Sequence, residues 1–142
     1  MSSDPNKIVK VVFACLDWRL HPAIEEYFTK DGTGCDMCVT AGSIKGLLEE
    51  ASQKYLLEQV NISKSLHNCR GAILTIHIDC GAYGGSKAFP NAEKEMIACK
   101  NQLELAKSVV EKNFPGLPVE AYVIGLEHVN GAWNILPQKI TI

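Results

Sequence analysis

The feature that most constrains the fold is an alternation of apolar, β-like runs with helical segments along the 142 residues. The runs are "KIVKVVFAC", "CDMCVT", "GAILTIHI" and "VEAYVIGL". The first is apolar at nearly every position, as expected of a strand covered on both faces. Strands that alternate with helices favour an open, mostly parallel α/β sheet with right-handed crossovers. Near the end of the chain, Asn130 and Gly131 predict a hairpin turn that adds an antiparallel edge strand.

The segments between these runs have helical spacing. "HPAIEEYF" predicts a short helix with Pro22 in its first turn. "LLEEASQKYLLEQV" predicts an amphipathic helix that ends near Val60, and residues 91–113 predict a further helix. "AGSIKG", which contains two glycines, predicts a loop.

Composition limits the class of protein and its partners. A chain of 142 residues is the size of one domain, here residues 1–142, and it can bury a core without disulfides. With 21% charged residues and a net charge of -2, it has no basic field for nucleic acid or an anionic membrane. No apolar run is long enough to span a membrane, and the first residues lack the pattern of a secretory signal, so we expect a cytoplasmic location.

Two of the predicted strands end in residues that favour metal chemistry. "CLDWR" closes the first strand with Cys15, Asp17 and Arg19, and "HIDC" closes the third with His77 and Cys80. Ligands of α/β sheets bind beyond the carboxyl ends of the strands, so neighbouring strands here would bring two thiolates and one imidazole together. Two cysteines and a histidine form a zinc set that leaves a fourth position open, as catalytic zinc requires.

The acid and the arginine after Cys15 supply a further group that such a site needs. Two thiolates cancel the formal charge of zinc, so its bound water is less acidic than water held by three imidazoles. Asp17 can accept a hydrogen bond from that water or ligate the metal itself. Arg19 can hold Asp17 through a bidentate fork, which also lowers the pKa of the carboxyl group. Glycines after Cys80 let the backbone turn and offer amide donors.

In their order along the chain, these motifs resemble those of the β-class carbonic anhydrases. The resemblance rests on CxDxR at 15–19, an Ala-Gly loop at 41–42 and HxxCG at 77–81. Each motif alone is weak, but the ordered set with an α/β pattern between its members is fairly specific. The resemblance implies a sheet of strand order 2-1-3-4 with an added edge strand, which makes the first and third strands neighbours.

The resemblance also implies an activity and the residues that carry it. Cys15, His77 and Cys80 would bind Zn2+, and Asp17 and Arg19 would form a catalytic dyad. The family reaction is the reversible hydration of carbon dioxide to bicarbonate, in which zinc-bound hydroxide attacks carbon. In some members the aspartate is a fourth zinc ligand in a closed state, until the arginine draws it away.

Substrate and partners follow from the same resemblance. Ala41, Gly42 and Gly81 would line the pocket for a small molecule, carbon dioxide or bicarbonate. We expect a homodimer or a larger homo-oligomer. The chain departs from the family at Val39 and Thr40, where Arg-Asn is usual, and it is short for the family, with little of the N-terminal helical arm that embraces a partner subunit.

Three alternatives to carbonic anhydrase activity stay open on the sequence. The same zinc site can hydrolyse carbonyl sulfide or carbon disulfide. A catalytically silent member can keep the zinc fold for interaction or sensing. A thiol redox protein can use the CxxC of Cys35 and Cys38, although core packing on the second strand is the favoured interpretation of that pair.

The other cysteines and histidines have no ligand spacing. We predict buried structural thiols for the cysteines and surface or capping roles for the histidines; the residues concerned are Cys69, Cys99, His21, His67 and His128.

Overall fold

The computed structural model describes residues 4–142 and contains a five-stranded sheet of order β2-β1-β3-β4-β5. The strands are β1 (Val9–Cys15), β2 (Gly34–Thr40), β3 (Ala72–His77), β4 (Val119–Val129) and β5 (Ala132–Ile140). β1 pairs in parallel with both β2 and β3, and β3 pairs in parallel with β4. β5 is antiparallel to β4. The predicted fold class and strand order are confirmed.

Helices cover both faces of this sheet. They are α1 (Ala23–Thr29), α2 (Glu50–His67) and α3 (Ala92–Asn113). Val60 of α2 and Leu103 of α3 pack with Phe13 on one face, whereas Ile24 of α1 packs with Val12 on the other. Neighbouring β1 residues therefore serve opposite layers of core, as the alternation of side chains along a strand requires. Among residues 4–142, none of the helices has the length and apolarity needed to cross a membrane.

The two central strands explain the apolar runs in the sequence. The last five residues of β1 are buried, and so are all six residues of β3. Both strands lie between helices on two faces and strands on two edges, so a polar position has nowhere to reach water. Inside β3, buried Thr75 donates its hydroxyl to the main-chain oxygen of Phe13 at 2.6 Å. The carboxyl ends of the two strands form the site described below.

The segment "AGSIKG" is not a plain loop, and this prediction is wrong. A 3-10 helix, Ser43–Leu48, begins after Gly42, whose φ of +78° suits glycine. Ile44 and Leu47 of this helix are fully buried in the core shared with α2 and α3. The apolar residues on either side of Lys45 were the signal for a helical turn.

The helix α2 is longer than its apolar pattern predicts, because it ends at His67 and not near Val60. The core-facing position in its last turns is Ser63, which is 4% exposed and donates its hydroxyl to Asp36 of β2 at 2.7 Å. A polar residue at this core-facing position hides the helical period in the sequence. Asn68 then ends the helix in a left-handed conformation, with φ of +51°.

The hairpin between β4 and β5 is confirmed. Asn130 and Gly131 have φ of +51° and +78°, which are the positive values that a tight hairpin turn needs. β5 thereby returns along β4, from Val129 paired with Ala132 to Ala121 paired with Ile140.

The core generates a test of the fold on one helix. Leu103 is fully buried, whereas Leu105, two positions later on α3, is 55% exposed. We expect Leu103→Ala to lower the free energy of unfolding by about 2–5 kcal/mol, because it leaves a cavity. The matched Leu105→Ala should change it by less than about 0.5 kcal/mol. Urea unfolding followed by circular dichroism measures both, and equal losses would contradict this arrangement of α3.

Candidate metal centre

The carboxyl ends of β1 and β3 bring three metal-ligating side chains together. Cys15 is the last residue of β1, His77 is the last residue of β3, and Cys80 follows three positions later. One ligand atom from each lies within 4.8 Å of the others, and all three residues are buried. The two sulfur atoms are 3.9 Å apart. The residues that the sequence singled out, far apart along the chain, therefore meet at one point.

The ring of His77 is oriented as a metal ligand. Its Nδ1 lies 2.8 Å from the main-chain oxygen of Ile78, which can only accept, so Nδ1 carries the proton. The Nε2 atom is then an unprotonated acceptor; it is buried and has no hydrogen-bond partner among residues 4–142. An unsatisfied buried acceptor costs free energy, and a metal ion is the partner that this tautomer fits. Together with two cysteine sulfurs, it fits the nitrogen and sulfur ligands that zinc prefers.

The two thiols influence each other's protonation. A hydrogen bond from the Cys80 thiol lowers the pKa of Cys15 to about 4, against the opposing effect of burial. The main-chain N–H of Gly42 also donates to the Cys15 sulfur, at 3.4 Å. The same Cys15 thiolate, together with burial, raises the pKa of Cys80. The contact between the two sulfurs thus favours the thiolate form at Cys15 and the protonated thiol at Cys80.

Asp17 and Arg19 lie beside this cluster as an ion pair. Arg19 Nη2 donates to Asp17 Oδ2 at 2.7 Å, and its Nε contacts both carboxylate oxygens, at 3.1 and 3.2 Å. Asp17 also accepts the Arg19 main-chain N–H at 3.0 Å, which caps the short 3-10 turn Trp18–Leu20. Hydrogen bonds from Arg19 hold the pKa of Asp17 below its ordinary value. The Asp17 Oδ2 atom lies 3.8 Å from His77 Nε2, within reach of a metal-bound molecule.

A cleft of about 650 Å³ is lined by Cys15, Asp17 and Arg19. Its lining includes all three residues predicted for the substrate pocket, which are Ala41, Gly42 and Gly81. A Cβ atom at Gly42 would lie 2.9 Å from Lys45 Cβ and 3.0 Å from Ala82 Cβ, so only glycine fits there. Together with its positive φ, this close approach explains why glycine follows Ala41.

Two polar neighbours of the cluster were missed by the sequence reasoning. Asp79 places Oδ2 3.2 Å from Arg19 Nη1, as a second carboxylate on the same guanidinium. Buried Glu95 of α3 accepts the Asp79 main-chain N–H at 2.9 Å and the Ser86 hydroxyl at 2.8 Å. The position of Asp79 inside the HxxC motif was a signal for its proximity. Glu95 has no such signal, because only the tertiary fold brings α3 to this loop.

The CxxC motif does not form a pair. Cys35 packs in the core layer of α1, whereas Cys38 packs in the layer of α2 and α3, on the opposite face of the sheet. Burial raises the pKa of Cys38 to about 11, the reverse of what a reactive thiol needs. Both are free thiols, as are buried Cys69 and Cys99. This geometry speaks against a redox function and agrees with packing roles.

The three further histidines differ in their surroundings. His128 is exposed and stacks on Trp133, with ring centroids 4.8 Å apart. His67 is half-buried in the last turn of α2 and contacts Asp36 at 2.7 Å. His21 has more than a surface role, because its Nε2 donates to the main-chain oxygen of Cys15 at 2.8 Å and so supports a candidate ligand from behind.

Comparison with known proteins gives one family. Residues 5–137 match the sequence model of a family described as "Putative carbonic anhydrase". An uncharacterised protein of Rickettsia conorii is 25% identical over 132 residues, which cover 87% of this chain and 71% of that protein. An uncharacterised protein of Rickettsia bellii is 26% identical over 132 residues, covering 87% of this chain and 80% of that protein.

Solved structures with a similar fold are β-carbonic anhydrases. The enzyme CafA of Aspergillus fumigatus superposes with a TM-score of 0.55 at 11% identity, covering 89% of this chain and 74% of that one. A tetrameric β-carbonic anhydrase of Sordaria macrospora gives a TM-score of 0.57 at 11% identity, with 93% and 82% covered. At such identities the likeness concerns the fold.

The cluster generates a test by metal analysis. We expect Cys15→Ser and Cys80→Ser to lose bound zinc, because each leaves two of three protein ligands. Cys35→Ser, which alters a half-buried thiol outside the cluster, is the matched control and should keep it. Zinc per chain is measured by mass spectrometry after dialysis against a weak chelator. Full zinc content in either ligand variant would contradict the assignment.

Proposed function

The chain belongs to the family described as putative carbonic anhydrase, and from this we propose that it catalyses the zinc-dependent, reversible hydration of carbon dioxide to bicarbonate. We further propose that the chain forms one domain of this kind. The observation that carries the proposal is the buried, partnerless Nε2 of His77, which faces two cysteine sulfurs beside an aspartate–arginine pair.

Cys15, His77 and Cys80 would hold the zinc ion. Three protein ligands leave one position open, which distinguishes catalytic from structural zinc. Zinc in this position would supply Lewis acidity and lower the pKa of a water molecule at the open position. Two thiolates weaken that effect relative to three neutral imidazoles, because they offset the charge of the ion. The protein must therefore assist from its own side chains.

Asp17 is the group that assists. Arg19 keeps its carboxylate ionised, so Asp17 would accept a hydrogen bond from water at the open position and hold that water in one orientation. A carboxylate of lowered pKa is a weak base, so Asp17 serves to orient the water and not to store its proton. The proton leaves to solvent through the open mouth of the cleft, where Trp18 is 73% exposed.

The substrate would lie between the small residues of the cleft. Ala41, Gly42 and Gly81 add little side-chain volume near Cys15 and Asp17. Because these side chains are small, a linear triatomic molecule can approach the main chain of these residues closely. Carbonyl sulfide and carbon disulfide have the same shape, so they are compared in the experiment below.

We also propose a homo-oligomer. The Sordaria macrospora enzyme of similar fold is tetrameric. In this chain β2 occupies one edge of the sheet, and exposed apolar residues Leu16 and Val39 lie near its carboxyl end and the cleft. These features support association with further copies of the chain.

Stopped-flow hydration of carbon dioxide by the zinc-loaded protein tests the proposed function. We expect a rate above buffer, and a greater kcat/KM for carbon dioxide than for carbonyl sulfide or carbon disulfide. Stoichiometric zinc without hydration would overturn the proposal in favour of a catalytically silent member. Faster hydrolysis of either sulfur compound would replace the substrate and keep the site.

The role of Asp17 is tested separately. Asp17→Asn should keep zinc but lower kcat by about 10²-fold or more, because the amide cannot accept and orient the water as a carboxylate does. Asp31→Asn is the matched control: Asp31 is an exposed residue in the turn before β2, and its side chain likewise accepts a main-chain N–H. An unchanged kcat in Asp17→Asn would remove Asp17 from the mechanism.

A further inference from the structure

Two carboxylates hold the guanidinium group of Arg19 from different edges. Nε and Nη2 of Arg19 donate hydrogen bonds to the Asp17 carboxylate. Nη1 donates to Asp79 Oδ2 at 3.2 Å, and Nη2 also donates to the Asp79 main-chain oxygen at 3.1 Å. Asp17 follows β1 and Asp79 follows β3. Arg19 therefore links the ends of two strands, and the reaction proposed above gives Asp79 no part.

Asp79 is itself fixed in orientation. Its backbone is left-handed, with φ of +60°, and its N–H donates to buried Glu95 at 2.9 Å. Its Oδ1 accepts the main-chain N–H of Ser86 at 2.9 Å. With Oδ1 bound to the loop, Oδ2 is the atom that remains for Arg19.

The guanidinium group of Arg19 also lies over the ring of an aromatic side chain. The ring of Trp133 on β5 lies 5.1 Å from the Arg19 guanidinium carbon. Stacking fixes the tilt of the group but lets it slide in its own plane. The in-plane position therefore depends on Asp17 and Asp79.

Stability does not explain the second carboxylate. The Asp79 side chain is 49% exposed, and exposed ion pairs contribute little to folding. Asp17 and Arg19 both belong to the turn after β1, so without Asp79 they would move as a unit relative to the ligands that β3 supplies. The Asp17 Oδ2 atom lies 3.8 Å from His77 Nε2, so movement of this turn toward β3 would bring the carboxylate among the three candidate ligands.

We propose that Asp79 is a positioning residue that ties Arg19 to the loop after β3 and so holds the Asp17 carboxylate beside the zinc ion and not on it. This inference rests on the proposed function, because it takes Cys15, His77 and Cys80 as zinc ligands.

Asp79→Asn is the first variant to test. Asparagine tolerates a left-handed backbone and can keep the acceptor for Ser86, but it turns an NH2 group toward Arg19 Nη1. Asp79→Gly also suits this backbone and is the second variant, should the first fail to fold as judged by circular dichroism. Asp31→Asn is again the control for loss of one surface carboxylate.

The measurements are zinc affinity, by competition with a chromophoric chelator, and kcat and KM for hydration. We expect Asp79→Asn to bind zinc more tightly, since Asp17 joins the ligands, and to lower kcat about tenfold with KM nearly unchanged. In an Asp17→Asn background the Asp79 change should leave zinc affinity unaltered. A structural role alone would not depend on Asp17 in this way.

Unaltered or weaker zinc binding in both Asp79 variants, or an equal gain in the Asp17→Asn background, overturns the inference and leaves the proposed function intact. Absence of zinc from the wild-type protein overturns the proposed function and the inference with it.

Discussion

The parallel pairing of β1 with β3 is the constraint on which the rest of the structure depends. Phe13 is paired with Leu74, and this register makes both strands end at the same edge of the sheet. Cys15, at one strand end, therefore lies beside His77, at the other. Helices on both faces bury these strands, and their metal-ligating side chains stand where the strands leave the core. The candidate metal ligands are therefore grouped at this edge of the sheet, where the strands are no longer enclosed by the core.

Much of this arrangement can be predicted from the sequence, and for identifiable reasons. Buried central strands must be apolar throughout, so β1 and β3 stand out, and the hairpin turn at Asn130 and Gly131 needs residues that tolerate positive φ. The three candidate ligands follow at strand ends, where the topology of α/β sheets places sites. Arg19 lies two positions from Asp17, so the bidentate contact between their side chains can be predicted from their spacing in the sequence.

The features that could not be predicted depend on tertiary contacts. The last turns of α2 are held to β2 by the hydrogen bond from Ser63 to Asp36. Ser63 stands where an apolar residue would have continued the helical pattern of the sequence. Glu95 reaches the loop after β3 from the first turn of α3, and no spacing rule connects the two. The CxxC motif is the opposite case, because its spacing suggests a pair of interacting thiols that the structure does not form. Cys35 and Cys38 lie on one strand, which directs their side chains to opposite faces of the sheet.

The stacking of Trp133 on Arg19 gives the C-terminal strand a role beyond extending the sheet. β5 is an edge strand and pairs with β4 alone, so it could separate from the sheet without breaking any other strand pair. Its indole nevertheless forms one wall around the arginine. Fraying at this edge would thus disturb Arg19 directly, so β5 is mechanically coupled to the candidate metal centre.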